Sequence, residues 1–148
     1  MPTSVHILLV EDNRMDVELT LDAFREGRLM NSVHVAPDGP TALDYLFGRG
    51  QYADRETYPI PDLILLDLKL PGMNGFEVLT QIKSTPILKR LPVVILTSSN
   101  DERDRLTAYD RYANSFVQKP VDHEQFVAAS RQLGLYWLVL NEPPPPKA

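Results

Sequence analysis

Cysteine is absent from the 148 residues, which excludes disulfides, a thiolate nucleophile and any cysteine-based metal or iron–sulfur site. No run approaches the ~18 consecutive apolar residues of a membrane span, and the start, Met1-Pro2-Thr3-Ser4-Val5-His6, lacks the basic region and apolar stretch of a secretory signal. No membrane association is expected, and the cytoplasm is the expected compartment. An excess of positive charge is missing as well. A net charge of −5 and a pI of about 5.1 give no general attraction to phosphate backbones or anionic lipids, and no local basic patch offsets them. Internal sequence repeats are absent beyond a βα rhythm, so no solenoid is expected. What the chain has is the composition of a soluble globular protein, 43% hydrophobic and 24% charged, in a length that one domain fills.

Five short apolar runs recur along the chain: Val5–Val10, Val33–Ala36, Leu63–Leu66, Val93–Leu96 and Phe116–Val117. Stretches with helical spacing separate them, the signature of βαβ units around a parallel sheet. The first, third and fourth runs are nearly continuous Val, Ile and Leu, as central strands covered on both faces require; the second and fifth are shorter and more polar, as edge strands are. Val17, Leu21 and Phe24 form one stripe of a helix stopping near Gly27. Asp38 caps a second helix that ends at Gly48. Phe76, Leu79 and Ile82 mark a third after Gly75, Asp101–Tyr112 a fourth, and Asp122 opens a fifth through Phe126, Val127 and Leu133. The predicted fold is α/β, a doubly wound five-stranded parallel sheet with five helices over residues 1–134. Arg49 to Pro61 is an insertion-length loop. Residues 135–148 form an extension in which Leu135-Tyr136-Trp137-Leu138-Val139-Leu140 precedes a proline run, and no output domain is expected to follow.

In an open parallel sheet the ligand site lies beyond the carboxyl ends of the strands. The residues there are Glu11 and Asp12, Asp67, Thr97 with Ser98, and Lys119 followed by Pro120. Three ionised carboxylates cannot crowd together uncompensated. A divalent cation resolves this, and Mg²⁺, which takes hard oxygen ligands and keeps several waters, suits Asp12 and Asp67 with Glu11 in support. His6, His34 and His123 are scattered and read as structural residues rather than ligands of a softer metal. With a phosphoryl group beside the metal, Asp67 becomes a carboxylate nucleophile, while Lys119 and Thr97 contact phosphoryl oxygens. Each residue alone has a plainer reading: Glu11 and Asp12 as helix caps, Asp67 as a turn residue, Thr97 as a strand-end hydroxyl, Lys119 as a solvated charge. Their appearance together along one sheet edge favours the joint reading.

The runs Ile7-Leu8-Leu9-Val10-Glu11-Asp12-Asn13, Asp62 through Asp67 to Gly75, Pro92 to Thr97, and Lys119-Pro120 resemble the response regulator receiver domains of two-component signalling, over about Val5 to Leu133. The resemblance implies the flavodoxin-like receiver fold and a phosphoprotein in which Asp67 accepts a phosphoryl group from a histidine kinase. It also implies Mg²⁺ held by Glu11, Asp12, Asp67 and the backbone carbonyl of Lys69, phosphoryl contacts from Thr97 and Lys119, and a cis bond before Pro120. Thr97 and Phe116 would form the two-state switch, with Phe116 in place of the commoner tyrosine. The switch would be read out on the face made by the fourth helix, fifth strand and fifth helix, with Arg103, Tyr109, Tyr112 and Phe126 as contacts. The long 49–61 loop and the Tyr136-Trp137 tail resemble stand-alone regulators paired with bacterial and cyanobacterial phytochrome kinases. They imply a homodimer through that face and the C-terminal extension, without direct nucleic-acid binding.

Other classes fit less well. An aspartyl-phosphate phosphohydrolase needs a second acid two residues after the nucleophile, where Lys69 stands. A flavin carrier of the same topology needs a hydroxyl- and glycine-rich phosphate loop where Glu11-Asp12-Asn13-Arg14 would repel phosphate. The alternative that remains is a phosphorylation-independent receiver-like dimerisation or binding module.

Overall fold

The computed structural model describes residues 5–26, 32–97, 115–119 and 121–132. Five parallel strands, β1 (His6–Val10), β2 (Ser32–Ala36), β3 (Leu63–Asp67), β4 (Val93–Thr97) and β5 (Ser115–Gln118), form one sheet in the order β2-β1-β3-β4-β5. The two more polar runs are therefore its edges, as their composition requires. Successive side chains of a strand point to opposite faces, so the continuous aliphatic runs of β1, β3 and β4 feed two cores at once. Leu8, Val10, Ile64, Leu66, Val93 and Ile95 face one layer; Ile7, Leu9, Leu63, Leu65, Val94 and Leu96 face the other. Each such side chain contributes about 1.5–3 kcal/mol by leaving water, which makes the central strands the rigid base of the site.

Among the described residues there are four α-helices: α1 (Arg14–Glu26), α2 (Gly39–Phe47), α3 (Gly75–Ser84) and α4 (His123–Gln132). The helix expected over Asp101–Tyr112 lies outside the described residues, as do Leu133 and the 135–148 extension. Helices α2 and α3 cover the first face and α1 and α4 the second. Phe126 is fully buried, its ring 4.7 Å from that of Phe24; it belongs to the core and not to an exposed contact surface. In α3 the buried residues are Val78, Leu79 and Ile82, while the expected Phe76 is only half-buried.

Each of the four described α-helices starts at a side-chain cap. Asn13 Oδ1 accepts from Asp16 N (3.0 Å), Asp38 from Thr41 N (2.7 Å) and Asp122 from Gln125 N (2.8 Å), and Asn74 and Glu77 form a capping box. Helix α2 ends at Gly48 in the left-handed region, φ 67°. Gly75 has a different reason: a Cβ there would stand 2.4 Å from the Asp67 carbonyl oxygen, so only glycine lets α3 start directly against the end of β3.

The 49–61 loop is ordered around one 3₁₀ turn, Gly50–Tyr52. The Arg55 guanidinium donates to the carbonyls of Tyr45 (2.8 Å), Leu46 (2.7 Å) and Tyr58 (3.1 Å), tying the last turn of α2 to the loop. Tyr45 donates to Pro59 O (2.9 Å), and Tyr45, Tyr52 and Tyr58 surround His34 of β2.

Candidate functional site

The parallel register brings the strand ends to one edge. Glu11 continues β1 by one residue, its N–H donating to Ala36 O (3.0 Å), and Asp67 closes β3 opposite Leu96. Thr97 closes β4 opposite Gln118, the residue before Lys119. Glu11 is 1% and Asp67 5% exposed, whereas Asp12 is exposed. Because Asn13 caps α1, neither Glu11 nor Asp12 is consumed as the cap; Glu11 Oε1 accepts instead from Asn13 N (3.1 Å). Asp67 Oδ1 accepts from Lys69 N (3.2 Å), which fixes the backbone of Lys69 beside the carboxylate while its side chain is exposed.

The Lys119 ammonium lies among three carboxylates: Glu11 Oε2 at 2.5 Å, Asp16 Oδ2 at 2.9 Å and Asp67 Oδ2 at 3.3 Å. Burial alone would lower its pKa, but the hydrogen bonds to Glu11 and Asp16 and the charges of Asp67 and Glu11 outweigh it and raise the group above its ordinary range. It is a fixed cation. Burial pushes Glu11 up to about 7, with the Asp67 charge adding to the rise and Lys119 opposing it. The edge thus carries more negative charge than one ammonium balances.

Glu11, Asp12 and Asp67 each offer an oxygen within 4.8 Å of the others. Oxygens around Mg²⁺ at about 2.0–2.1 Å stand at most about 4.2 Å apart, so small side-chain adjustments close this all-oxygen donor set on a hard divalent cation. The donor chemistry fits Mg²⁺ and offers nothing for a soft metal. Asp16 was not legible as a site residue; its only signal is an acidic side chain in the first turn of α1, just after Glu11 and Asp12. Phe116 is half-buried and packs against the α2–α3 core. The side chain of Thr97 and Ser98, Arg103, Tyr109, Tyr112 and Pro120 lie outside what is described.

Comparison with known proteins agrees with this geometry. The response regulator receiver domain family matches residues 7–131. The bacteriophytochrome response regulator RtBRR is 51% identical, with a TM-score of 0.83 over 97% of this chain and 86% of that one. The phosphorylated cyanobacterial phytochrome response regulator RcpA is 37% identical, with a TM-score of 0.77 over 98% of this chain and all of that one (100%). Response regulator Rcp1 of Synechocystis sp. is 36% identical over 132 residues, 89% of this chain and 88% of its own length. The Mn²⁺-bound form of response regulator Rcp1 superposes with a TM-score of 0.74 at 34% identity, over 97% of this chain and 99% of that one.

Proposed function

The chain belongs to the response regulator receiver family, and from that premise we propose that it is a signalling protein phosphorylated on Asp67 by a histidine kinase. The observation that carries the assignment is Lys119 Nζ standing 3.3 Å from Asp67, a buried carboxylate at the end of the central strand β3. An oxygen of Asp67 attacks phosphorus, the P–N bond to the kinase histidine breaks, and that bond's electron pair returns to the imidazole nitrogen. Glu11, Asp12, Asp67 and the backbone carbonyl of Lys69 hold Mg²⁺, which when bound neutralises carboxylate and phosphoryl oxygen charge. Lys119 pairs with one phosphoryl oxygen and Thr97 hydrogen-bonds another. Acquisition of the phosphoryl charge biases the Thr97 and Phe116 switch. The chain turns over no other substrate, and acts in the cytoplasm through protein contacts without binding nucleic acid.

The kinase is of the phytochrome type, a reading supported by RtBRR, RcpA and Rcp1. Residues 1–134 form the receiver domain and 135–148 a C-terminal extension that, with the face around β5 and α4, joins two copies. The test is intact mass after incubation with acetyl phosphate and Mg²⁺. Wild type gains one phosphoryl group, roughly 80 Da, labile to hydroxylamine, and Asp67→Asn gains none. A folded wild type that neither gains this mass nor binds beryllofluoride overturns the assignment in favour of a phosphorylation-independent binding module.

A further inference from the structure

We infer that Asp16 is a positioning residue for Lys119: its carboxylate holds the ammonium on the α1 side of the site and competes for it with the phosphoryl group on Asp67. The inference rests on the phosphoacceptor reading above. The Lys119 Nζ to Asp16 Oδ2 distance of 2.9 Å is a hydrogen bond between residues 103 apart in sequence, and shorter than the 3.3 Å to Asp67. The lysine side chain is only 11% exposed and the aspartate 29%, so the pair is partly shielded from solvent and from salt.

Asp16 is a fixed anchor. Its N–H is bound by the Asn13 cap, its carbonyl accepts from the buried Thr20 hydroxyl (2.8 Å), and it sits in the first turn of α1, where the helix dipole favours an anion. Lysine is the opposite, a point charge on a flexible four-carbon stem. Its three N–H groups meet three carboxylates. Glu11 and Asp67 have another use, since both belong to the oxygen cluster that can close on a cation. Asp16 lies outside that cluster and so keeps its claim on the ammonium when the other two are drawn to the metal. Lys119 must then divide its charge between Asp16 and the incoming phosphoryl oxygens, and Asp16 sets how completely it turns to them.

Beryllofluoride, a phosphoryl mimic, provides the test when titrated with Mg²⁺ and followed by ¹⁹F NMR. Asp16→Asn binds it about fivefold more tightly, the factor expected when a partly exposed ion-pair competitor is removed. The gain disappears in a Lys119→Gln background, and Asp16→Glu, which restores the charge, returns the affinity toward wild type. In the metal-free protein, the Lys119 ammonium ¹⁵N signal moves in Asp16→Asn, which a purely structural role would not produce. An equal gain in the Lys119→Gln background overturns the inference, since it reports only the lost negative charge. Unchanged affinity in the Asp16→Asn single variant, with Lys119 intact, also overturns it. A wild type that binds no beryllofluoride instead contradicts the phosphoacceptor reading itself.

Discussion

Two polar clusters flank the same sheet, and they use polar groups in opposite ways. At the carboxyl edge Glu11, Asp16 and Asp67 crowd around one ammonium, with Asp12 close to Glu11 and Asp67, and Glu11 is buried with its pKa pushed up to about 7. That acid is disfavoured as an anion in the fold, so the edge costs stability at neutral pH and is ready to accept charge from outside. Beside edge strand β2, by contrast, Tyr45, Tyr52 and Tyr58 pack around His34, and Arg55 binds the carbonyls at the end of α2. There the Tyr45 hydroxyl and the Arg55 guanidinium donate to backbone carbonyls, neutral acceptors, and the rings contribute apolar burial. The first cluster is a site held under charge stress; the second is a clamp that fastens the 49–61 loop to the domain.

The largest expected effect separates them. Tyr45 is 3% exposed, donates to Pro59 O and touches all the other rings. Tyr45→Ala should cost about 3–5 kcal/mol of unfolding free energy, as deletion of a buried aromatic ring does. Urea denaturation measures the loss. Beryllofluoride affinity at a temperature where the variant stays folded should remain within about twofold of wild type, because the clamp shares no residue with the acidic edge. A variant that loses both together would show the two clusters to be one cooperative unit.

The two clusters were not equally legible in the sequence. The central strands were plain because Val, Ile and Leu run unbroken where both faces are covered, and the acidic edge followed from reading the residues just past each run. Nothing local said whether Glu11 and Asp12 cap α1; Asn13, the next residue, does so and releases them. Asp16 was invisible because its meaning depends on a contact 103 residues away. The clamp was invisible too. Residues 49–61 look like a polar loop, and the burial of Tyr52 depends on Arg55 reaching carbonyls of a helix that ends before the loop begins.

A second effect belongs to the acidic edge alone. Mg²⁺ requires Glu11 ionised, and in the metal-free site that group titrates at about 7. Below that pH the proton competes with the metal, so Mg²⁺ affinity should fall about tenfold between pH 8 and pH 6, one proton being displaced per ion. Isothermal titration across that range measures it. Glu11→Gln should bind Mg²⁺ more weakly at pH 8 and lose most of the pH dependence. A wild-type affinity that is flat with pH would place the ionisation of Glu11 outside this window.

The smallest effect gives the two clusters opposite signs with pH. Glu11 has a folded pKa raised from 4.5 to about 7, so the unfolded chain releases this proton more readily. Its unfavourable contribution is complete above about 7 and disappears as pH falls toward 4.5. His34 runs the other way: burial among the tyrosines lowers its pKa below 6.5. Below pH 6.5 the unfolded chain takes up a proton that the folded chain resists, so the stability from His34 is present at neutral pH and lost as the solution is acidified. The cost is limited, since the imidazole is half-buried and, once protonated, gains attraction to the Tyr45 face stacked 4.6 Å away. The contrast is read from urea midpoints of wild type and His34→Phe at pH 7 and pH 5. Glu11 contributes equally to both proteins and cancels. The wild type should lose ground to the variant on acidification, by less than the Tyr45→Ala loss; a wild type that gains instead would mean that the ring cage binds the imidazolium more tightly than the neutral ring.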